Sequence, residues 1–326
     1  MEIDFADTFA LGQRGSAVQE LHRRLSQLGY EVPSESAVFT ENTQHALVEF
    51  QIARGLDADG SCTETTWRAL IEASFVLGDR LLYETSPMMR GEDVSELQLK
   101  LGTLGFDAGR VDGIFGPNTR RAVADFQRNL GLVTDDVCGP EVVAHLRRLA
   151  TRGTHISVAG LREREQLRAQ PRSMRDLRIA LGHIEDDHNI LGPLGAQLQS
   201  LGAEVTMISA TNWSDVAQQT NAFEATMCLG LSLSDKPGAV AQYFGTEGFE
   251  STAGRLLAER ILEQLPAGAL RTHTGIAPMR SPLLRETRCP AVLLQIGPVR
   301  ELDDLAGQIN TAIHRAIISW SSTPSF

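Results

Sequence analysis

Apolar residues in the first half of the chain recur at helical spacing. Val18, Leu21, Leu25 and Leu28 lie three or four positions apart, and so do Val94, Leu97, Leu101 and Leu104. Residues spaced in this way share one side of an α-helix. Gly29 and Gly105 follow the two runs, where a helix C-terminus calls for a left-handed residue. After Pro117 a second helical face is made by Thr119, Ala122, Val123 and Phe126, and a shorter helix is expected near 141–148.

This region repeats itself. Placing Arg14 on Arg90 and keeping that offset of 76 residues aligns 14–70 with 90–146 without a gap. Phe39 meets Phe115, Asn42-Thr43 meets Asn118-Thr119, Phe50-Gln51 meets Phe126-Gln127, and Cys62 meets Cys138. An ungapped match of this length predicts two copies of one small three-helix module.

From Leu177 onward the pattern changes. The short apolar runs 177–181, 203–208, 226–233 and 290–297 predict strands, and the amphipathic stretches 188–201, 213–224, 249–265 and 301–319 predict helices. Such alternation builds a mostly parallel sheet with helices on both faces. The fold class is therefore multidomain, with two small three-helix modules followed by an α/β domain. The expected boundaries are 1–76 and 77–150 for the modules, 151–176 for an Arg-rich linker broken by Pro171, 177–320 for the α/β domain, and 321–326 for a Ser/Thr tail.

Composition narrows the function classes. Hydrophobic residues make up 42% and charged ones 22% of 326, the profile of a globular chain. A net charge of −11 argues against a nucleic-acid binder held by phosphate contacts. No apolar run is long enough to span a bilayer, so the protein is not expected to be transmembrane. The start, "MEIDFADTFALGQRG", has acids where a secretory leader carries Lys or Arg. Cys62, Cys138, Cys228 and Cys289 are scattered without metal-knuckle spacing, which fits a reducing compartment. A cytoplasmic location is expected.

Residues 97–132, "LQLKLGTLGFDAGRVDGIFGPNTRRAVADFQRNLGL", resemble the peptidoglycan-binding module of bacterial wall hydrolases, the PG-binding-1 domain. The resemblance makes Asp112, Gly113, Phe115, Gly116 and Thr119 candidate peptidoglycan contacts. Two other roles stay open: Asp112, Gly113 and Gly116 as loop formers, and Phe115 as core. The first copy departs from the motif, with Ser36-Ala37 in place of Asp-Gly and Thr40 in place of the second glycine.

The second half resembles the zinc-dependent N-acetylmuramoyl-L-alanine amidases of the amidase-3 type. In that family two histidines and a glutamate hold zinc, and a late-strand glutamate in Pro-Ala-Val-Leu-x-Glu-x-Gly is the acid/base group. Three protein ligands leave zinc one position for water, and a carboxylate takes that water's proton during attack on the amide. Carried over, the ligand positions fall on His183, Glu185 and Ser232, and the catalytic glutamate falls on Gln295 in "CPAVLLQIG". A glutamine cannot accept a proton, a serine is a poor zinc ligand, and the segment separating the first two ligands is nearly gone. No catalysis, metal or cofactor is then expected. The alternative is a working zinc amidase with ligands rearranged onto His188 or Cys228. Asp186 and Asp187, just ahead of a helix, equally suit capping.

Module order across nearly the whole chain resembles the CwlM family of actinobacteria. That resemblance implies a cytoplasmic, non-hydrolytic regulator or scaffold of peptidoglycan-precursor synthesis. Its implied partners are precursor enzymes such as MurA and a Ser/Thr protein kinase, with peptidoglycan or precursor fragments as further candidates. Ser322 and Thr323 in the terminal "SWSSTPSF" are the candidate phosphorylation sites.

Overall fold

Each copy of the repeat forms three helices. The first has α1 (Ser16–Gln27), α2 (Glu41–Arg54) and α3 (Glu64–Ser74), and the second has α4 (Glu92–Thr103), α5 (Pro117–Leu130) and α6 (Pro140–Ala150). The computed structural model describes residues 9, 11–33, 35–150, 158–159, 163, 165, 173–184, 187–246, 248–266, 270 and 273–322. The chain divides into two compact units, residues 1–159 and 160–326.

Local chemistry sets the helix ends. Gly105 adopts φ 93° just beyond α4, where Phe106 N–H bonds back to the Leu101 carbonyl at 2.9 Å. Such a turn favours glycine, which has no Cβ to clash. Pro117 opens α5 at a position whose N–H has no intrahelical partner. The apolar stripes then pack inward. Val94, Leu97, Leu101, Phe115, Val123, Phe126 and Leu146 form one core, and Val18, Leu21, Leu25, Phe39, Phe50 and Leu70 form its counterpart. Burying each such side chain contributes about 1.5–3 kcal/mol.

The copies meet through charges that only the second possesses. Glu92-Asp93 stand where the first copy has Ser16-Ala17. Glu92 pairs with Arg54 of α2 at 2.5 Å. Asp93, 1% exposed, receives a two-point contact from Arg80, whose guanidinium lies 3.5 Å from the centre of the Phe75 ring at the end of α3.

In the second unit β1 (Arg178–His183), β2 (Glu204–Ser209), β3 (Met227–Leu233) and β7 (Ala291–Gly297) run parallel in the order β2-β1-β3-β7. β4 (Gly238–Thr246) pairs antiparallel with β7 and parallel with β6 (Thr274–Met279), and β5 (Phe249–Glu250) is a short antiparallel addition to β4. One face carries Ile179, Leu181, Leu229, Leu231, Leu294 and Ile296. That face packs on α7 (Leu191–Ser200), α9 (Thr252–Gln264) and α11 (Leu302–Ser322). The other face lies under α8 (Trp213–Ala222) and α10 (Pro282–Glu286), with Val216 against Gly182 and Leu283 against Gly230.

The sheet is mostly parallel, as the alternating pattern predicts, but β4, β5 and β6 are additions to that expectation. β4 has glycine and alanine where a strand normally shows branched residues, so its run is ambiguous by periodicity. β6 contains Pro278, which is tolerated because β6 is an edge strand. α7 begins at Leu191 rather than 188, because His188 and Asn189 take φ of 46° and 58° and end the preceding loop. Within the expected linker, the Glu163 carboxylate accepts from Ser251 Oγ and, at 2.8 Å, from Thr252 N–H. An acid in that place complements the positive end of α9. Among the described residues, no helix is long and apolar enough to cross a membrane.

Candidate functional site

Parallel strands present their carboxyl ends along one edge, and ligands of open α/β sheets bind in the crevice where the strand order reverses. Here β1 leads through α7 to β2 on one side, and β2 leads through α8 to β3 on the other. The crevice therefore opens between β1 and β3. His183 ends β1, Ser232 lies near the end of β3, and Gln295 near the end of β7.

Register decides which of these side chains meet. Ser232 pairs with Gln295 across β3 and β7, whereas His183 pairs with Leu231 across β1 and β3. Side chains alternate between faces along a strand. Ser232 and Gln295 thus share the face under α8 and α10, while His183 shares the opposite face with buried Leu231. Glu185 lies outside the described residues. The described donors do not fit zinc, which takes several nitrogen, sulfur or carboxylate ligands converging on one point. Among the described residues, no group of three His, Cys, Asp or Glu side chains could hold a metal ion.

Rearranged ligation finds little in the described residues. His188 Nδ1 lies 2.8 Å from Asp303 Oδ1 of α11. Asp187 is occupied in a turn at the start of α7, where its carboxylate accepts from Asn189 N–H at 3.2 Å and Leu191 N–H at 2.9 Å. Asp186 lies outside the described residues. Cys228 is fully buried, its sulfur 3.6 Å from Thr220 Oγ1, and burial pushes its thiol up to about 12. A nucleophile must be thiolate, so burial disfavours this sulfur as a nucleophile at neutral pH. Cys228 in the folded protein is expected to resist alkylation at pH 8 and to react once the chain is denatured. Modification of the native protein at Cys228, located by peptide mass mapping, would show this wrong.

Gly297 fixes the floor beside Gln295. A Cβ on it would lie 2.0 Å from the Ser234 carbonyl oxygen, so glycine alone allows the β3–β4 turn to close against β7. Ser234 N–H donates to the Ile296 carbonyl at 2.9 Å, and Val299 N–H donates to Ser234 at 3.1 Å.

The second module uses its motif residues differently from a row of surface contacts. Gln98 is 2% exposed and stands at the centre. Its Nε2 lies 2.9 Å from Asp112 Oδ1, 3.0 Å from the Ile114 carbonyl and 3.0 Å from Thr119 Oγ1, and its Oε1 accepts from Gly113 N–H at 2.9 Å. Gly113 takes φ 73°, and a Cβ there would meet the Gly91 carbonyl at 2.9 Å. Phe115 is fully buried, and Gly116 is half-buried beside the Met88 sulfur. In the first copy His22 occupies the position of Gln98. Its Nδ1 contacts the Ser36 carbonyl at 2.8 Å and its Nε2 contacts Thr43 Oγ1 at 2.7 Å. The replaced Asp-Gly turn is thus matched by a replaced hub. Gln98 and His22 escape motif reading, but the repeat offset pairs them directly.

Residues 14–70 and 90–146 each match the family described as "Putative peptidoglycan binding domain". Over 95% of its length the chain is 31% identical to N-acetylmuramoyl-L-alanine amidase CwlM of Mycobacterium tuberculosis, covering 87% of that protein. A "Probable N-acetylmuramoyl-L-alanine amidase" of Bacillus licheniformis is 32% identical over 42% of this chain and 44% of its own. Among solved structures, N-acetylmuramoyl-L-alanine amidase AmiC2 of Nostoc punctiforme aligns with 45% of this chain and 98% of its own, at 16% identity and a TM-score of 0.36. The chain belongs to the family of N-acetylmuramoyl-L-alanine amidase CwlM, and its function is peptidoglycan-related.

Proposed function

We propose that this protein is a catalytically inactive amidase homologue that regulates or scaffolds peptidoglycan-precursor synthesis in the cytoplasm. The observation that carries this reading is the paired placement of Ser232 and Gln295. These are the positions at which the amidase-3 resemblance calls for a histidine ligand and a glutamate base. Loss of a general base alone lowers a rate by about 10²–10⁴. Loss of an imidazole ligand removes more than the 10–100-fold typical of outer-shell changes. His183, on the opposite face of the sheet, supports the same reading.

The regulatory half of the proposal involves precursor enzymes such as MurA, a Ser/Thr kinase, and peptidoglycan or precursor fragments at the modules. Asp112, Gly113, Phe115, Gly116 and Thr119 act in that scheme by shaping the module's loop. Ser322 is exposed at the end of α11 and its hydroxyl donates to the Ile318 carbonyl at 2.9 Å; Thr323 lies outside the described residues. A phosphate added there would bring about −1.5 to −2 charges and three acceptor oxygens.

Two measurements test the proposal. Metal analysis of the dialysed protein is expected to find well under one zinc per chain; a full equivalent would contradict inactivity by ligand loss. Pull-down from native lysate is expected to recover a precursor enzyme, and phosphatase treatment is expected to abolish that recovery. A partner set without any such enzyme would contradict the regulatory role. The double variant Ser232→His with Gln295→Glu is expected to remain inactive on muropeptides, because His183 stays on the other face.

A further inference from the structure

The sheet of the second unit has one open edge. β2 ends the strand order, and among the described residues it pairs with β1 alone. Glu204 N–H donates to the Leu177 carbonyl at 2.9 Å, and Ala210 N–H donates to the His183 carbonyl at 3.2 Å. Backbone groups alternate in direction along a strand, so Val205, Met207 and Ser209 turn their N–H and C=O outward. The opposite margin of the sheet is blunted, because β6 carries Pro278 and β5 is two residues long. β2 has neither a proline nor a lysine, the residues that commonly keep an exposed edge from pairing. The surface beside it is apolar as well. Among the described residues of the second unit, the large hydrophobic side chains left exposed are Leu201 at 41% and Met207 at 45%. Val205 and Met207 lie against Gly195 of α7, a helix without a charged residue. Interfaces between proteins are depleted of charge at their centre in the same way.

We propose that β2 is the contact strand of a symmetric dimer, paired antiparallel with β2 of a second copy about a two-fold axis at Met207. The register identifies the occupant. With the axis there, Met207 faces its own copy, Val205 faces Ser209 and Ser209 faces Val205. Every outward-facing residue then has a partner, and each facing pair exchanges two backbone hydrogen bonds. Glu204, the charged residue of β2, faces Ala210, so no like charges oppose one another. An axis at Thr206 would instead set Ser209 opposite Ala203, whose N–H is already bonded to the Leu198 carbonyl. The strand is thus complementary to itself in the register that uses all its free backbone groups. A two-fold contact of this kind closes on itself and covers the same patch on both copies.

The test is sedimentation of the full-length protein over a concentration series. A dimer with a Kd of about 10 µM or tighter is mostly assembled at about 100 µM. The mass is expected to rise to twice that of one chain and to stop there. Met207→Lys sets two like charges face to face and is expected to weaken association by at least about tenfold. Thermal unfolding of the diluted variant is expected to match that of the unmodified protein. Met207→Cys gives a second reading that does not depend on disruption. Facing residues at the axis have Cα atoms about 5.5 Å apart, within the span of a disulfide. Mild oxidation is expected to link the two copies through the introduced thiol. The unmodified protein, whose cysteines are all buried, is expected to stay unlinked. A single-chain mass at about 100 µM would overturn the dimer, and growth beyond two copies would overturn the closed two-fold contact. Association undiminished by Met207→Lys, or Met207→Cys that assembles without cross-linking, would place the contact elsewhere and overturn the assignment to β2.

Discussion

Arg80→Ala is expected to destabilise the tandem helical unit by about 3–5 kcal/mol, the range found when one partner of a buried ion pair is removed. The pair is built from both ends. Arg80 Nε donates to Asp93 Oδ2 at 2.7 Å, and its Nη2 lies 3.1 Å from Oδ1 and 2.7 Å from the Arg90 carbonyl. Asp93 Oδ1 also accepts from Val94 N–H at 2.9 Å. With the arginine gone, a carboxylate that is 1% exposed loses its cation and two of its hydrogen-bond donors, and the Phe75 ring loses its stacking partner. The double change Arg80→Met with Asp93→Leu is expected to recover most of the loss, because similar apolar volume often replaces such a pair at little cost. Urea unfolding curves read both values. A loss below about 1 kcal/mol for the single variant, the level of a surface pair, would contradict the buried joint.

Gln98→Leu comes next, with an expected loss of about 2–5 kcal/mol from buried groups left without partners. Leucine keeps the volume but cannot receive the Gly113 N–H, and it leaves Asp112 without the amide donor. Thr119 Oγ1 keeps only its longer contact to the Ala108 carbonyl, at 3.3 Å. Gln98→His is expected to lose less, because the first copy already supports a histidine hub through His22 and Thr43. Thermal and urea unfolding distinguish the two substitutions. Equal losses would mean that the polar hub contributes no more than its volume.

The repeat, the module helices and the α/β alternation were legible because each rests on local periodicity. Val94, Leu97 and Leu101 announce a helix face without knowledge of its partner, and Gly105 announces its end. The candidate site was legible in kind, since Ser232 and Gln295 stand at recognisable positions in apolar strands. Its geometry was not. Whether His183 meets Ser232 depends on a one-residue register between β1 and β3, and strand alternation turns one residue into the opposite face. Contacts across long separations escaped in the same way, as with His188 and Asp303 at 115 residues apart. β4 and β6 were hidden for a different reason: small residues and a proline weaken the strand pattern where an edge position or a neighbour supplies the pairing. The joint between the modules left a readable trace, because Glu92-Asp93 against Ser16-Ala17 is a charge difference within an otherwise close repeat.

The central claim is that the α/β domain no longer hydrolyses its family's substrate. It is tested most directly by incubating the unmodified protein, supplied with excess zinc, with purified muropeptides and following free peptide by mass spectrometry. The account predicts release no faster than in a protein-free control over hours. Release that depends on the protein and stops when zinc is chelated would contradict it.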